Sequence, residues 1–144
     1  MSASRTGGFT LIEIMIALAI LAILVTIAYP SYLDQVRKSR RSDGQQALLD
    51  LANRMEKYFT EYNTYATATV ATGNATDVLS SSDSSGGYYT LSITAQTATS
   101  YTIQAAPKAG GPQVGDTKCA NLTLTSTGLK DKSGTESVGY CWGT

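Results

Sequence analysis

From Phe9 to Tyr29 the chain reads FTLIEIMIALAILAILVTIAY, about 21 residues carrying a single charge, Glu13. As a helix this run extends roughly 31 Å, close to the hydrocarbon thickness of a bilayer, so it is long enough to span one. It has to be set aside before the core-forming capacity of the 144 residues is judged, and what remains suits one modest domain. The preceding MSASRTGG is short and polar with one charge, Arg5, as in a secretory signal. No small-residue cleavage site follows the apolar run; Tyr29, Pro30, Ser31 and Tyr32 come next, so the apolar helix is expected to stay on the chain.

Glu13 is the odd residue of the run. A carboxylate at the centre of a membrane helix costs on the order of 2.5–3.5 kcal/mol, less near an end, and needs either water or a partner. Hydration at the membrane boundary is the plain reading of the segment taken alone.

The string GFTLIEIMIALAILAILVTIAYPSY resembles the N-terminus of type IV pilins. The resemblance implies that residues 1–8 are a leader, that a prepilin peptidase cuts between Gly8 and Phe9, and that Phe9 becomes an N-methylated N-terminus. It implies a hydrophobic membrane and fibre-core helix over 9–30, and an amphipathic helix plus β-sheet head over 31–144. Glu13, as the fifth residue of the mature chain, would meet the N-terminal amine of a neighbouring subunit. Pairing would then be favourable at one axial offset, since removing one partner of a buried ion pair typically costs 3–5 kcal/mol. Implied partners are other pilin subunits, the peptidase, the assembly platform with its ATPase, and the inner membrane before assembly. The implied location is a single-pass inner-membrane protein with a periplasmic head, later part of an extracellular pilus.

The charge pattern opposes that topology. Arg37, Lys38, Arg40 and Arg41 follow the apolar segment while only Arg5 precedes it, which by the positive-inside rule would leave the C-terminal part in the cytoplasm. The resemblance and the cysteine pair both point outside and together outweigh the bias. Cys119 and Cys141 are too far apart for a CxxC redox motif, and with no His in the chain they cannot complete a zinc site. They are a disulfide or two unrelated thiols. The disulfide suits an oxidising compartment and would stabilise the closed loop by about 3 kcal/mol.

Pro30 predicts a kink or break near Ala28 to Tyr29, after which the helix resumes. Beyond it Leu33, Val36, Ala47, Leu48, Leu51, Met55, Tyr58, Phe59 and Tyr62 recur at steps of three and four, one face of a helix reaching about Tyr62. Gly44 is a weak point costing about 1 kcal/mol relative to Ala, a place to bend. The four basic residues read as a solvated helix face, or as a contact for lipid headgroups or a neighbour's acids. Ala66 to Gly87, rich in Ser, Thr, Ala and Gly and including Ser80 to Ser85, reads as a long loop; serine glycosylation there is the lesser alternative.

Tyr88 to Thr94, Tyr101 to Ala105 and Leu122 to Thr125 alternate as strands, with Leu91, Ile93, Ile103, Leu122 and Leu124 facing inward. Thr127 to Lys130 is expected to extend the last strand and Val138 to Trp142 to form a short fourth. The expected fold is α+β: a long N-terminal helix, membrane-spanning in its first half, packed on a small antiparallel sheet with a C-terminal disulfide loop, the type IV pilin fold. Tyr88, Tyr89, Leu91, Tyr101, Ile103, Ala105, Pro107, Gln113, Asp116, Cys119, Leu122, Leu124, Gly128 and Cys141-Trp142 are similar to PilE-type minor pilins of Gram-negative bacteria.

Eleven basic and eleven acidic residues cancel, giving no general drive toward nucleic acid. Lacking His, a Gly-rich phosphate loop and any catalytic constellation, the chain is not expected to be an enzyme or to hold a cofactor. Asp116, Asp131 and Glu136 form no EF-hand pattern and read as solvated loop acids. Trp142 reads as core packing rather than an adhesive residue. The function implied is that of a structural subunit, a minor pilin of a fibre for twitching motility, adhesion and DNA uptake. Alternatives are a major pilin, a type II secretion pseudopilin, or a pilus-tip DNA receptor. The last needs Lys or Arg beside exposed aromatics; Lys108, Lys118, Lys130 and Lys132 are present but mixed with acids.

Overall fold

The structure, a computed structural model, describes residues 8–143. Internal contacts divide the chain between Val36 and Arg37 into an N-terminal unit and a head. Helix α1 runs from Leu11 to Tyr62. It continues without a break through Pro30, where the sequence predicts a kink or break. Proline removes one amide donor and disfavours helical geometry just before it, but helical turns on both sides outweigh one lost bond. The helix stops because Asn63 turns left-handed at φ 53 and its N–H caps Phe59 O at 2.7 Å.

In the head, α1 buries Arg41, Gly44, Leu48, Leu51, Met55 and Tyr58, alternating steps of three and four that form one stripe. Against it lie β3 (Tyr89–Gln96), β4 (Tyr101–Pro107), β5 (Leu122–Thr125) and β6 (Lys130–Lys132), an antiparallel sheet in that order, preceded by β1 (Thr69–Val70) and β2 (Asp77–Leu79). Leu91, Ile103, Leu122 and Leu124 are buried as expected, joined by Tyr89, Tyr101 and Ala105 on the same two-residue period, while Ile93 is half-buried. Helix stripe and sheet face share one apolar core.

Three local expectations are corrected. Gly44 is a point of close approach: a Cβ there would lie 2.8 Å from the ring of Tyr89, so only glycine lets the helix come this near to β3. The segment expected as a plain loop contains β1 and β2, paired in parallel through Thr69 with Asp77 and Val70 with Leu79. Its organiser is the Asp77 carboxylate, which accepts from Thr69 Oγ1 at 2.6 Å, Thr72 Oγ1 at 2.8 Å and the Gly73 N–H at 2.7 Å. The serine tract is tied down at its end, where Asp43 accepts from Ser84 Oγ at 2.5 Å and the Gly86 N–H at 2.8 Å.

The third correction concerns the end of the chain. Thr127 to Lys130 does not prolong β5; the chain turns at Gly128 (φ 80) and Lys130–Lys132 returns antiparallel as β6. Val138–Trp142 is a short helix, α2, not a strand. Ser137 caps it by accepting the Tyr140 N–H, and left-handed Gly143 closes it with an N–H to Gly139 O at 2.8 Å.

Candidate functional site

At the start of α1, Glu13 does not stand alone. Thr10 donates to Glu13 Oε2 from both its amide and its hydroxyl at 3.3 Å, and the Glu13 N–H returns a bond to Thr10 Oγ1 at 3.3 Å. This is a capping box, in which a Thr and a Glu three residues on satisfy each other's orphan helix-end groups. The Thr-x-x-Glu signature is visible in the sequence and supplies Glu13 with a role inside its own chain. Gly8 and Phe9 precede the helix, Phe9 is 83% exposed, and every large apolar residue from Leu11 to Ile27 is exposed too. Among the described residues one helix is long and apolar enough to cross a membrane, and it is α1. Residues 1–7 of the expected leader lie outside the described residues.

In the head the four basic residues are not one solvated face. Arg41 is buried and binds Asp116 through two parallel bonds, Nε to Oδ2 at 2.6 Å and Nη2 to Oδ1 at 2.7 Å. Asp116, expected as a solvated acid, is therefore the buried half of an ion pair. Its carboxylate raises the Arg41 pKa still further above its ordinary value, against burial, which acts to lower it. Gln113 completes the network by donating to Asp116 Oδ2 at 3.0 Å and to the Tyr89 hydroxyl at 3.1 Å. Burial pushes the Tyr89 hydroxyl up to about 12. Arg40 lies over the Tyr88 ring, 5.3 Å from its centroid, and donates to Pro112 O.

Sequence reasoning missed this network because its members are polar and 75 residues separate Arg41 from Asp116. No periodicity signals such a pair.

Cys119 and Cys141 form the expected disulfide, with a Cα separation of 5.6 Å. It ties α2 to the segment before β5, and Gln45 of α1 donates to Cys141 O at 2.7 Å. Trp142 is buried, its indole N–H bonded to Asp131 O at 3.0 Å. The four lysines considered for nucleic acid are not brought together as a set. Lys108 is paired with Asp83 at 2.6 Å, whereas Lys118, Lys130 and Lys132 belong to segments that meet α2. Asp116, Asp131 and Glu136 do not converge, and among the described residues no group of three or more potential ligands could hold a metal ion.

A second cluster lies at the other end of the head helix. Tyr65 and Tyr101 donate to the two oxygens of Glu56 at 2.9 and 3.0 Å, and their rings meet edge to face at 4.9 Å. Burial, then the glutamate, pushes the Tyr65 hydroxyl up to about 12 and raises Tyr101 as well. These bonds fasten the chain after α1 onto the sheet.

Comparison with known proteins agrees with this architecture. Residues 30–123 match the family described as type IV minor pilin ComP, DNA uptake sequence receptor, and residues 3–29 match the prokaryotic N-terminal methylation motif. The major pilin protein PilA of Myxococcus xanthus is 37% identical over 62 residues, 43% of this chain and 28% of that protein. The fimbrial protein EcpC of Eikenella corrodens is 31% identical over 104 residues, 72% of this chain and 64% of its own. The matched segments thus span less than two thirds of either relative. The non-core minor pilin PilV of Neisseria meningitidis has the same fold, with a TM-score of 0.55 at 24% identity over 72% of this chain and 93% of that one. With its long apolar-headed helix, antiparallel sheet and terminal disulfide, and a family match over more than half its length, this chain belongs to the type IV minor pilins of the ComP family.

Proposed function

We propose that this chain is a minor subunit of a type IV pilus that binds DNA for uptake. The observation that carries this reading is the family match over residues 30–123, whose description names a DNA uptake sequence receptor. A DNA receptor, a lesser alternative on the sequence because Lys108, Lys118, Lys130 and Lys132 are mixed with acids, becomes the leading reading on the strength of that match. Before assembly the chain would cross the inner membrane once through the apolar part of α1, with its head in the periplasm. An oxidised Cys119–Cys141 pair supports that placement. Prepilin peptidase would cut between Gly8 and Phe9, and Phe9 would be N-methylated, in keeping with the methylation motif over residues 3–29. Platform protein and ATPase would drive insertion among other pilins, in a fibre that also serves motility and adhesion.

Glu13 can serve as helix cap, as charged partner of a neighbour's amine, or both, and one substitution separates these roles. Glu13→Gln keeps the capping acceptor, since Gln serves in the same box, but removes the charge. If the charge registers subunits, this variant will be stable in the membrane and absent from sheared fibres. Fibres containing it at the parent level would leave Glu13 as a cap only. For the function itself, deletion should abolish uptake of added DNA while fibres remain, and purified protein should retard a duplex in a salt-dependent manner. Normal uptake in the deletion strain would end the DNA reading, and lost protein secretion would instead favour a pseudopilus.

A further inference from the structure

We infer that the outer edge of β3 at Ile93 takes a short, extended, uncharged segment of a neighbouring pilin subunit, which adds to the sheet as a further strand in the fibre; the inference rests on the fibre-subunit reading above. β3 and β6 are the two edges of the four-stranded sheet, and the molecule treats them differently. Along β6, Lys130, Asp131 and Lys132 put charges on the edge, α2 lies against it, and the Trp142 indole N–H occupies Asp131 O at 3.0 Å. Charges and a covering element are how proteins keep a sheet edge from pairing with another chain.

The edge of β3 begins covered and ends bare. The Lys108 N–H bonds to Tyr88 O at 2.9 Å, and the antiparallel register carries that pattern on, so that the main-chain groups of Thr90 and Ser92 face β4. Those of Tyr89, Leu91 and Ile93 face outward. The chain's own segment Ser82 to Ser84 runs antiparallel along the first part of this edge, with the Ser84 N–H on Tyr89 O at 2.9 Å and the Leu91 N–H on Ser82 O at 2.6 Å. The covering stops there. Among the described residues, neither the N–H nor the C=O of Ile93 is bonded to another strand.

Beside Ile93 lies a cleft of about 440 Å³, to which the β1 region brings Ala68, Val70 and Thr72 and β3 brings Ile93, Ala95 and Gln96. No charged side chain lines it. The Gln96 amide donates to Ala66 O at 2.8 Å, but its own Oε1 is buried without a partner. Thr94 and Ala95 are exposed, so the cleft is reached from solvent.

These features select the occupant. An outward N–H and C=O on one strand residue, with a lone amide acceptor three residues on, are met by extended main chain, as in strand addition to a sheet edge. Nucleic acid is unsuited to the cleft, because no cation lines it to meet phosphates. A charged peptide would lose hydration there with no counter-charge, which leaves an uncharged segment. So short a stretch forms few main-chain bonds, too few to hold a free peptide. They suffice for a partner already held alongside, as subunits packed through their apolar helices are.

The test is hydrogen exchange at the Ile93 amide, compared between detergent-solubilised full-length protein and sheared fibres containing it. Exchange at Ile93 should slow about tenfold or more in fibres, while the Ser92 amide, already paired with β4, is slow in both. Ala95→Lys puts a charge on the edge without removing a side-chain bond; its Ile93 amide should exchange in fibres as fast as in the free subunit. Ala95→Thr, uncharged, should keep the protection. Equal Ile93 exchange in fibres and in the free parent protein would overturn the inference while leaving the fibre reading intact. So would protection that survives Ala95→Lys, which would mean general burial instead of strand pairing. A parent chain absent from sheared fibres would overturn both readings.

Discussion

Between Phe9 and Ile27 the large apolar side chains of α1 are exposed, 83% at Phe9 and 72% at Ile27, whereas Leu48, Leu51 and Met55 on the same helix are completely covered. The first stretch is apolar all round, so no single face can be hidden by one partner, and burial has to come from surroundings on every side, lipid or like helices. The second stretch is amphipathic and buries its stripe within its own chain. Polar groups follow the same division. In the stalk the lone carboxylate, Glu13, is held by local bonds at a helix end; in the head the buried carboxylate, Asp116, is held by an arginine 75 residues away. One helix thus contains a part whose stability is borrowed from its neighbours and a part whose stability is its own.

That contrast predicts that the head is sensitive to substitutions which the stalk, before assembly, tolerates. The largest effect should come from Arg41→Ala, which strands Asp116 in the core and should cost the head about 3–5 kcal/mol, read as a lowered urea midpoint. A loss below about 1 kcal/mol would mean that water reaches Asp116 and that the head's polar core is as forgiving as an exposed surface. Next, replacing both Cys119 and Cys141 by Ser should cost about 3 kcal/mol by restoring freedom to the unfolded chain. An unchanged unfolding midpoint would show that the cross-link adds nothing to the head's stability.

Gly44→Ala sharpens the comparison, because helix propensity and packing oppose each other at this position. Alanine favours the helix by about 1 kcal/mol, but its Cβ collides with Tyr89, and overpacking typically costs about 1–3 kcal/mol. Net destabilisation in thermal melts is expected; a stabilised variant would mean that Tyr89 moves aside easily.

The smallest effect is local and depends on pH. The Thr69 hydroxyl, with those of Thr72 and the Gly73 amide, holds the Asp77 carboxyl down at about 2 against some desolvation. Its folded pKa lies below the unfolded value of about 3.9, so the stabilisation is fully present above that value and is lost as pH falls through about 2. Amide exchange across Thr69 to Leu79 should therefore accelerate in that window, before the rest of the head opens. Uniform exchange throughout the head would show that Asp77 is not the organiser of β1 and β2.

Much of this architecture is legible residue by residue. The apolar run, the helix reaching Tyr62 and the inward alternation of Leu91, Ile103, Leu122 and Leu124 all follow from patterns that local geometry imposes, and with only two cysteines in the chain a disulfide had one possible pairing. Arg41 and Gly44 escaped because they occupy stripe positions without being apolar, and a periodicity of hydrophobic residues passes over them. The helix at Val138–Trp142 escaped for another reason. Five residues are too few to show a period, and their conformation rests on caps at Ser137 and Gly143 and on the cross-link at Cys141.

The N-terminal apolar helix and the strand alternation of the head were determined by the amino-acid sequence alone, because each depends on spacing along a few turns or one strand. Tertiary structure alone decided which arginine is buried and why a glycine interrupts the helical stripe. Those outcomes depend on groups 45 to 75 residues apart coming within a few ångströms, as Gly44 does with Tyr89 and Arg41 with Asp116. Charge and volume at such distances along the chain have no local signature, and their effect exists only once the helix and the sheet have closed on each other.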